Sequence, residues 1–107
     1  MAKTKREIKL ILGRFAEEIA KMGVTPEKIL LYGSYARGDA REDSDIDVII
    51  ISEDFKRMNL RERLELLGLA AGKIFEPIEA LGYTPAEFEA NRKGTFLEDA
   101  LKKSSRM

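Results

Sequence analysis

The 107-residue chain predicts a small α+β fold, a mixed β-sheet of three or more strands packed with helices. Three observations lead there. Apolar residues recur at helical spacing over residues 5–22 and again over 60–73. Three short apolar runs, 29–32, 45–52 and 77–83, have the length of strands rather than helices. The connection between the first two runs is too short for an ordinary crossover helix, so the sheet is expected to be mixed rather than wholly parallel.

Taken in order, residues 5–22 place Ile8, Ile11, Leu12, Phe15, Ile19 and Met22 on one helical face, and Gly23 follows as a stop. Thr25-Pro26-Glu27 is a turn, and 29–32 reads as a buried strand. Gly33-Ser34 ends it, and 38–44 is a charged loop. In the second strand, 45–52, the tail Val48-Ile49-Ile50-Ile51 is apolar on both faces, as in a strand covered on both sides. Asn59 and Glu62 have capping-box spacing and open a helix running to about residue 73, expected to bury Leu60, Leu64, Leu67 and Ala71. After the third strand, Thr84 and Glu87 form a second capping box with Pro85 at the first helical position. That helix is expected to stop near Gly94, a last helix to open at Thr95, and the basic tail 102–107 to fray.

Composition narrows the chemistry. With no cysteine, disulfides and thiolate metal sites are excluded and a reducing cytoplasm is the natural home. With no histidine, imidazole bases and histidine-ligated zinc are excluded, leaving carboxylates as the strong metal ligands. No apolar run is long enough to span a membrane, and the charged N-terminus is not followed by a signal core. Lysine plus arginine equals aspartate plus glutamate at 19 each, which argues against a broad electrostatic grip on nucleic acid. The length suits one domain, 1–107.

The stretch 30–51 organises the rest. Asp45 and Asp47 alternate with Ile46 and Val48, so both carboxylates leave one face of the strand, about 7 Å apart at the backbone. Two such groups repel unless one is protonated or a cation bridges them. This is the pattern of a site for a hard divalent ion.

Gly33-Ser34, ten intervening residues and then Asp45-Ile46-Asp47 resembles the signature of the DNA polymerase β-like nucleotidyltransferase superfamily. The fuller string Gly33-Ser34-Tyr35-Ala36-Arg37-Gly38, with Ser44-Asp45-Ile46-Asp47, resembles its small members, the minimal nucleotidyltransferase (MNT) domains. Residues 83–88, Tyr-Thr-Pro-Ala-Glu-Phe, extend the likeness over nearly the whole chain. The resemblance implies the nucleotidyltransferase fold and transfer of a nucleoside monophosphate from a triphosphate such as ATP, with two magnesium ions. It places metal on Asp45 and Asp47 and a third carboxylate at Glu79, where the family usually has aspartate. Glu76 is the rival for that role. Gly33 and Ser34 would hold the phosphates, Ser34 at a helix start. Arg37 either neutralises triphosphate charge or pairs with Asp39 or Asp43. Tyr32 and Tyr35 are read as packing or nucleotide-edge residues.

By the same resemblance the acceptor is a protein. The partner is a HEPN-domain ribonuclease toxin held in check by this chain as antitoxin, with a homo-oligomer also open. Two other readings are carried: a non-catalytic module that masks its partner, which the glutamate at 79 favours, and a nucleotidyltransferase for a small molecule.

Overall fold

The computed structural model describes residues 2–91 and the backbone at 105–106. The expected helix end near Gly94 and the last helix from Thr95 lie outside the described residues.

Helix α1, Lys5–Lys21, begins at a capping box absent from the sequence reading. Thr4 Oγ1 accepts from the Glu7 N–H at 3.1 Å, and the Thr4 N–H donates to Glu7 Oε1 at 2.9 Å. Its buried face is Ile8, Ile11, Leu12, Phe15 and Ile19. Strand β1, Lys28–Tyr32, runs into a single helical turn, α2, Ser34–Arg37. Strand β2, Ile46–Ile51, returns antiparallel to β1, pairing Leu31 with Val48 and Tyr32 with Asp47. A 3-10 turn, Glu53–Arg57, and helix α3, Leu60–Lys73, lead to strand β3, Ile78–Tyr83, which lies parallel to β2. Helix α4, Pro85–Asn91, follows. The backbone at Ser105–Arg106, expected as frayed tail, forms a two-residue strand β4 against Leu31 and Leu30. The sheet order is β3-β2-β1-β4, with one parallel pairing, so it is mixed as expected.

The alternation of β2 explains the layering. Ile46, Val48 and Ile50 point into the cluster built with α1 and α3, while Ile49 and Ile51 pack with Leu30 and Phe88 on the opposite face. All six β2 residues except Asp47 are buried, as a strand covered on both faces requires. Asp47 belongs by alternation to the second face, at its open end.

Helix α3 corrects one expectation. Leu67 and Ala71 are buried, but Leu60 and Leu64 are 61% and 46% exposed. The inward stripe runs instead through Arg63, Leu67, Ala70 and Ile74, about a sixth of a turn away. Arg63 holds that position because every donor of its guanidinium is used. Nε donates to Met58 O (3.1 Å), Nη1 to Gly82 O (3.2 Å) and Glu87 Oε1 (2.6 Å), and Nη2 to Phe55 O (2.7 Å) and Glu87 Oε2 (3.1 Å). Its carbon Cζ also lies 5.5 Å from the centre of the Phe55 ring. Glu87 is at the same time the capping-box residue of α4, its Oε1 accepting from the Thr84 N–H at 2.9 Å. One side chain thereby ties the 3-10 turn, α3, β3 and α4 together. Phe55 is fully buried beneath Gly82, where a Cβ would sit 2.7 Å from the ring.

Candidate active site

The site is built where β1 ends. Gly33 caps α2 with φ +75° and ψ −152°, a conformation open essentially to glycine alone. Its carbonyl accepts from the N–H groups of Ala36 and Arg37 at 3.1 and 3.0 Å, which closes the turn. A second constraint comes from across the sheet. A Cβ on Gly33 would overlap Asp47 Oδ2 and stand 3.1 Å from Asp47 Cγ. The carboxylate therefore occupies the space where any other residue's side chain would begin. Gly33 and Asp47, far apart in sequence, form one packed unit.

Strand register completes the group. Tyr32 lies opposite Asp47 and Asp47 opposite Glu79, so three side chains form a row across β1, β2 and β3. Paired residues share a face. Asp45 precedes the first residue of β2 and is exposed, as is Glu79. Among the described residues neither Asp45 nor Glu79 makes a side-chain hydrogen bond or ion pair, and Ser34 Oγ makes no hydrogen bond.

The electrostatics reflect this crowding. Burial pushes the Asp47 carboxyl up, and the negative charges of Glu79 and Asp45 push it further, against the pull of Arg37. The Tyr32 hydroxyl is pushed up to about 12, first by burial and then by the charges of Asp47 and Glu79. The anions thus sense one another before any ligand arrives.

The sequence-derived candidates Gly33, Ser34, Asp45, Asp47 and Glu79 accordingly come together at one end of the sheet. Arg37 Nε lies 3.2 Å from Asp39 Oδ2. That pair is exposed on both sides, and such pairs contribute at most about 1 kcal/mol. Glu76 does not join the row. It lies before β3 and faces Lys3 Nζ at 3.9 Å. Tyr32 packs on the second face of the sheet, as expected, and also stands beside Asp47 in the row.

The donors suit a hard cation, because carboxylates are its preferred protein ligands. Among the described residues no group of three acidic side chains is gathered closely enough to hold an ion unaided. Magnesium sites commonly take one or two carboxylates, with substrate phosphates and water completing the octahedron. The residues present fit that kind of site.

The chain belongs to the nucleotidyltransferase domain family, whose model matches residues 12–103. It is 42% identical over 72 residues to the protein adenylyltransferase MntA of Thermococcus cleftensis, covering 62% of this chain and 71% of that protein. It is also 42% identical over 65 residues to MJ1379 of Methanocaldococcus jannaschii, provisionally named a protein adenylyltransferase, covering 61% of this chain and 64% of that protein. The match therefore spans less than two thirds of MJ1379. A crystal structure of a toxin–antitoxin with AMP-PNP shares the fold, with a TM-score of 0.57 at 17% identity, covering 86% of this chain and 68% of that one.

Proposed function

We propose that the chain transfers AMP from ATP to a hydroxyl group of a protein acceptor, with magnesium held by Asp45, Asp47 and Glu79. The observation that carries this reading is the register that sets Asp47 opposite Glu79 while its carboxylate packs against Gly33. Phosphate turn and metal carboxylates are then one assembly. The adenylyl group and the protein acceptor are taken from the name of the MntA relative.

Two magnesium ions would neutralise charge on the triphosphate and on the oxygens being bonded and released. The chain's own groups do the rest. The backbone at Gly33 and the free Ser34 hydroxyl face the phosphates. Arg37 exchanges its exposed contact with Asp39 for the triphosphate, a change its weak pairing permits. The acceptor oxygen bonds to the α-phosphorus as the bridging oxygen to the β-phosphorus departs with its electron pair in pyrophosphate. The hydroxyl proton passes to Glu79, an exposed carboxylate with no competing side-chain partner among the described residues. The family resemblance supplies the physiological setting: an antitoxin modifying a HEPN-domain ribonuclease.

The test is incubation with α-labelled ATP, magnesium and the product of the neighbouring gene. Label should move to that protein and vanish in the double variant Asp45→Asn with Asp47→Asn. A stable complex without label transfer would instead establish a masking, non-catalytic module.

A further inference from the structure

Strand β3 is the edge of the sheet, paired only with β2 among the described residues. The parallel ladder decides which of its backbone groups are used. The Ile46 N–H donates to Pro77 O and the Ser52 N–H to Tyr83 O, so the odd-numbered residues of β3 bond inward. Ile78, Ala80 and Gly82 therefore turn their N–H and C=O groups outward. Two of these outward groups are occupied. Gly82 O accepts from Arg63 Nη1, which closes the far end of the edge, and the Ile78 N–H donates to Glu76 O. Among the described residues the open window is the Ile78 carbonyl, both backbone groups of Ala80 and the Gly82 N–H.

That window is not blunted in the ways edge strands usually are. Within β3 there is no lysine and no proline, and its one charge is Glu79 itself. Beside it lies an apolar shelf at the half-exposed Leu64 of α3, while the exposed Leu60, one turn earlier, sits with Tyr83 and Glu87 at the far end of the strand. A cavity of about 330 Å³ joins shelf to site, with Leu64 and Gly68 on one wall and Glu79 and Tyr32 on another. A row of alternating donors and acceptors at strand spacing matches one kind of ligand, extended polypeptide.

We propose that the acceptor protein docks as an added strand on the open edge of β3, pairing with Ala80 and laying apolar side chains on Leu64, so that its hydroxyl residue reaches Glu79. This rests on the adenylyl-transfer reading but concerns a separate surface, and the two are tested apart.

The probe is a set of short synthetic peptides, each with one tyrosine, serine or threonine between alternating valine and threonine, incubated with labelled ATP and magnesium. Wild type should label the parent peptides. Methylation of the single peptide nitrogen that faces Ala80 should lower labelling about tenfold, the effect of losing a backbone bond and meeting a steric block. Ala80→Pro removes an N–H that the sheet does not use and should lower kcat/KM for peptide about tenfold, with MgATP affinity unchanged. Leu64→Lys, at an exposed position, should lower it several-fold without touching the ladder. Hydrogen exchange at the Ala80 amide should slow on peptide addition. Equal labelling of parent and methylated peptides, or unchanged Ala80 exchange at saturating peptide, overturns the proposal. So does a concentration-dependent dimer that Ala80→Pro abolishes, which would give the edge to a second copy of the chain. If wild type binds MgATP yet labels nothing while peptide still protects Ala80, the transfer reading fails and the edge stands.

Discussion

Gly33→Ala tests whether the phosphate turn and the metal carboxylate are one unit. Two separate costs arise at this position. The backbone sits at φ +75° and ψ −152°, a region costing a non-glycine residue about 1–3 kcal/mol. The new Cβ would also overlap Asp47 Oδ2, so either the turn or the carboxylate must move. A displacement of about 1 Å at a reacting centre can lower a rate about 100-fold. Gly38→Ala is the internal control. Gly38 also has positive φ, +84°, yet nothing lies within 4 Å of its would-be Cβ. That variant should carry only the left-handed penalty, about 1–2 kcal/mol, with adenylyl transfer retained. Thermal unfolding gives the backbone cost of each variant, and label transfer under saturating MgATP gives the displacement of Asp47. Gly33→Ala should therefore match or exceed the control in lost stability and lose about 100-fold in transfer. If both variants kept wild-type transfer, the packing of Gly33 against Asp47 would have no part in the chemistry and the reasoning would fail.

Four further outcomes follow from the same geometry. Arg63→Ala should cost about 3 kcal/mol in urea unfolding, the low end for breaking a buried pair because Glu87 remains partly hydrated, and Arg63→Lys should not restore it. Glu87 is held below its usual 4.5, first by its hydrogen bond to Arg63. The folded state then binds fewer protons than the unfolded one, so this stability is present above pH 4.5 and lost as pH falls through the folded value, a dependence that Glu87→Gln should flatten. Asp47 has the opposite sign. Its raised pKa makes the folded state bind more protons above 3.8, so without magnesium Asp47→Asn should be more stable than wild type at neutral pH, while inactive in label transfer. Glu79→Ala should lose roughly 100-fold or more in transfer, as expected for a missing proton acceptor, and Glu79→Asp should also lose up to about 100-fold, because its oxygens fall about 1 Å short of the acceptor.

The local signals were the legible ones. Asn59 with Glu62 and Thr84 with Glu87 announce helix starts because both partners lie within one turn, and each pair is bonded in the structure. Thr4 with Glu7 forms the same capping box but lies in a run of charges before the first apolar residue, where the spacing is less distinct. Four consecutive apolar residues announced the doubly covered strand β2. Arg63 was illegible. Its burial is stabilised by Phe55, Gly82 and Glu87, which reach it from three other elements, and nothing near it in sequence shows that they converge. Misplacing Leu60 and Leu64 follows from the same cause, since a leucine stripe looks like the core side until an arginine is known to hold that position. In the site, alternation gave Asp45 and Asp47 one face and the resemblance pointed to Glu79, while the strand register sets Tyr32, Asp47 and Glu79 in one row.

Glutamate at position 79 acquires a physical context from the edge it occupies. On the proposed reading, a carboxylate there would meet the metal on one side and the incoming hydroxyl on the other. Asp47, half-buried against Gly33, has no freedom to reach outward. Glu79 is exposed, on the last strand of the sheet, with an open backbone window at the next residue. The extra methylene lets its oxygens stand farther from the sheet than those of an aspartate would. A longer side chain on an open strand and an unburied Leu64 beside it then have a common cause. Both suit an acceptor that arrives as polypeptide from the side. An acceptor enclosed in a pocket would need neither, and it would leave Leu64 exposed without a use.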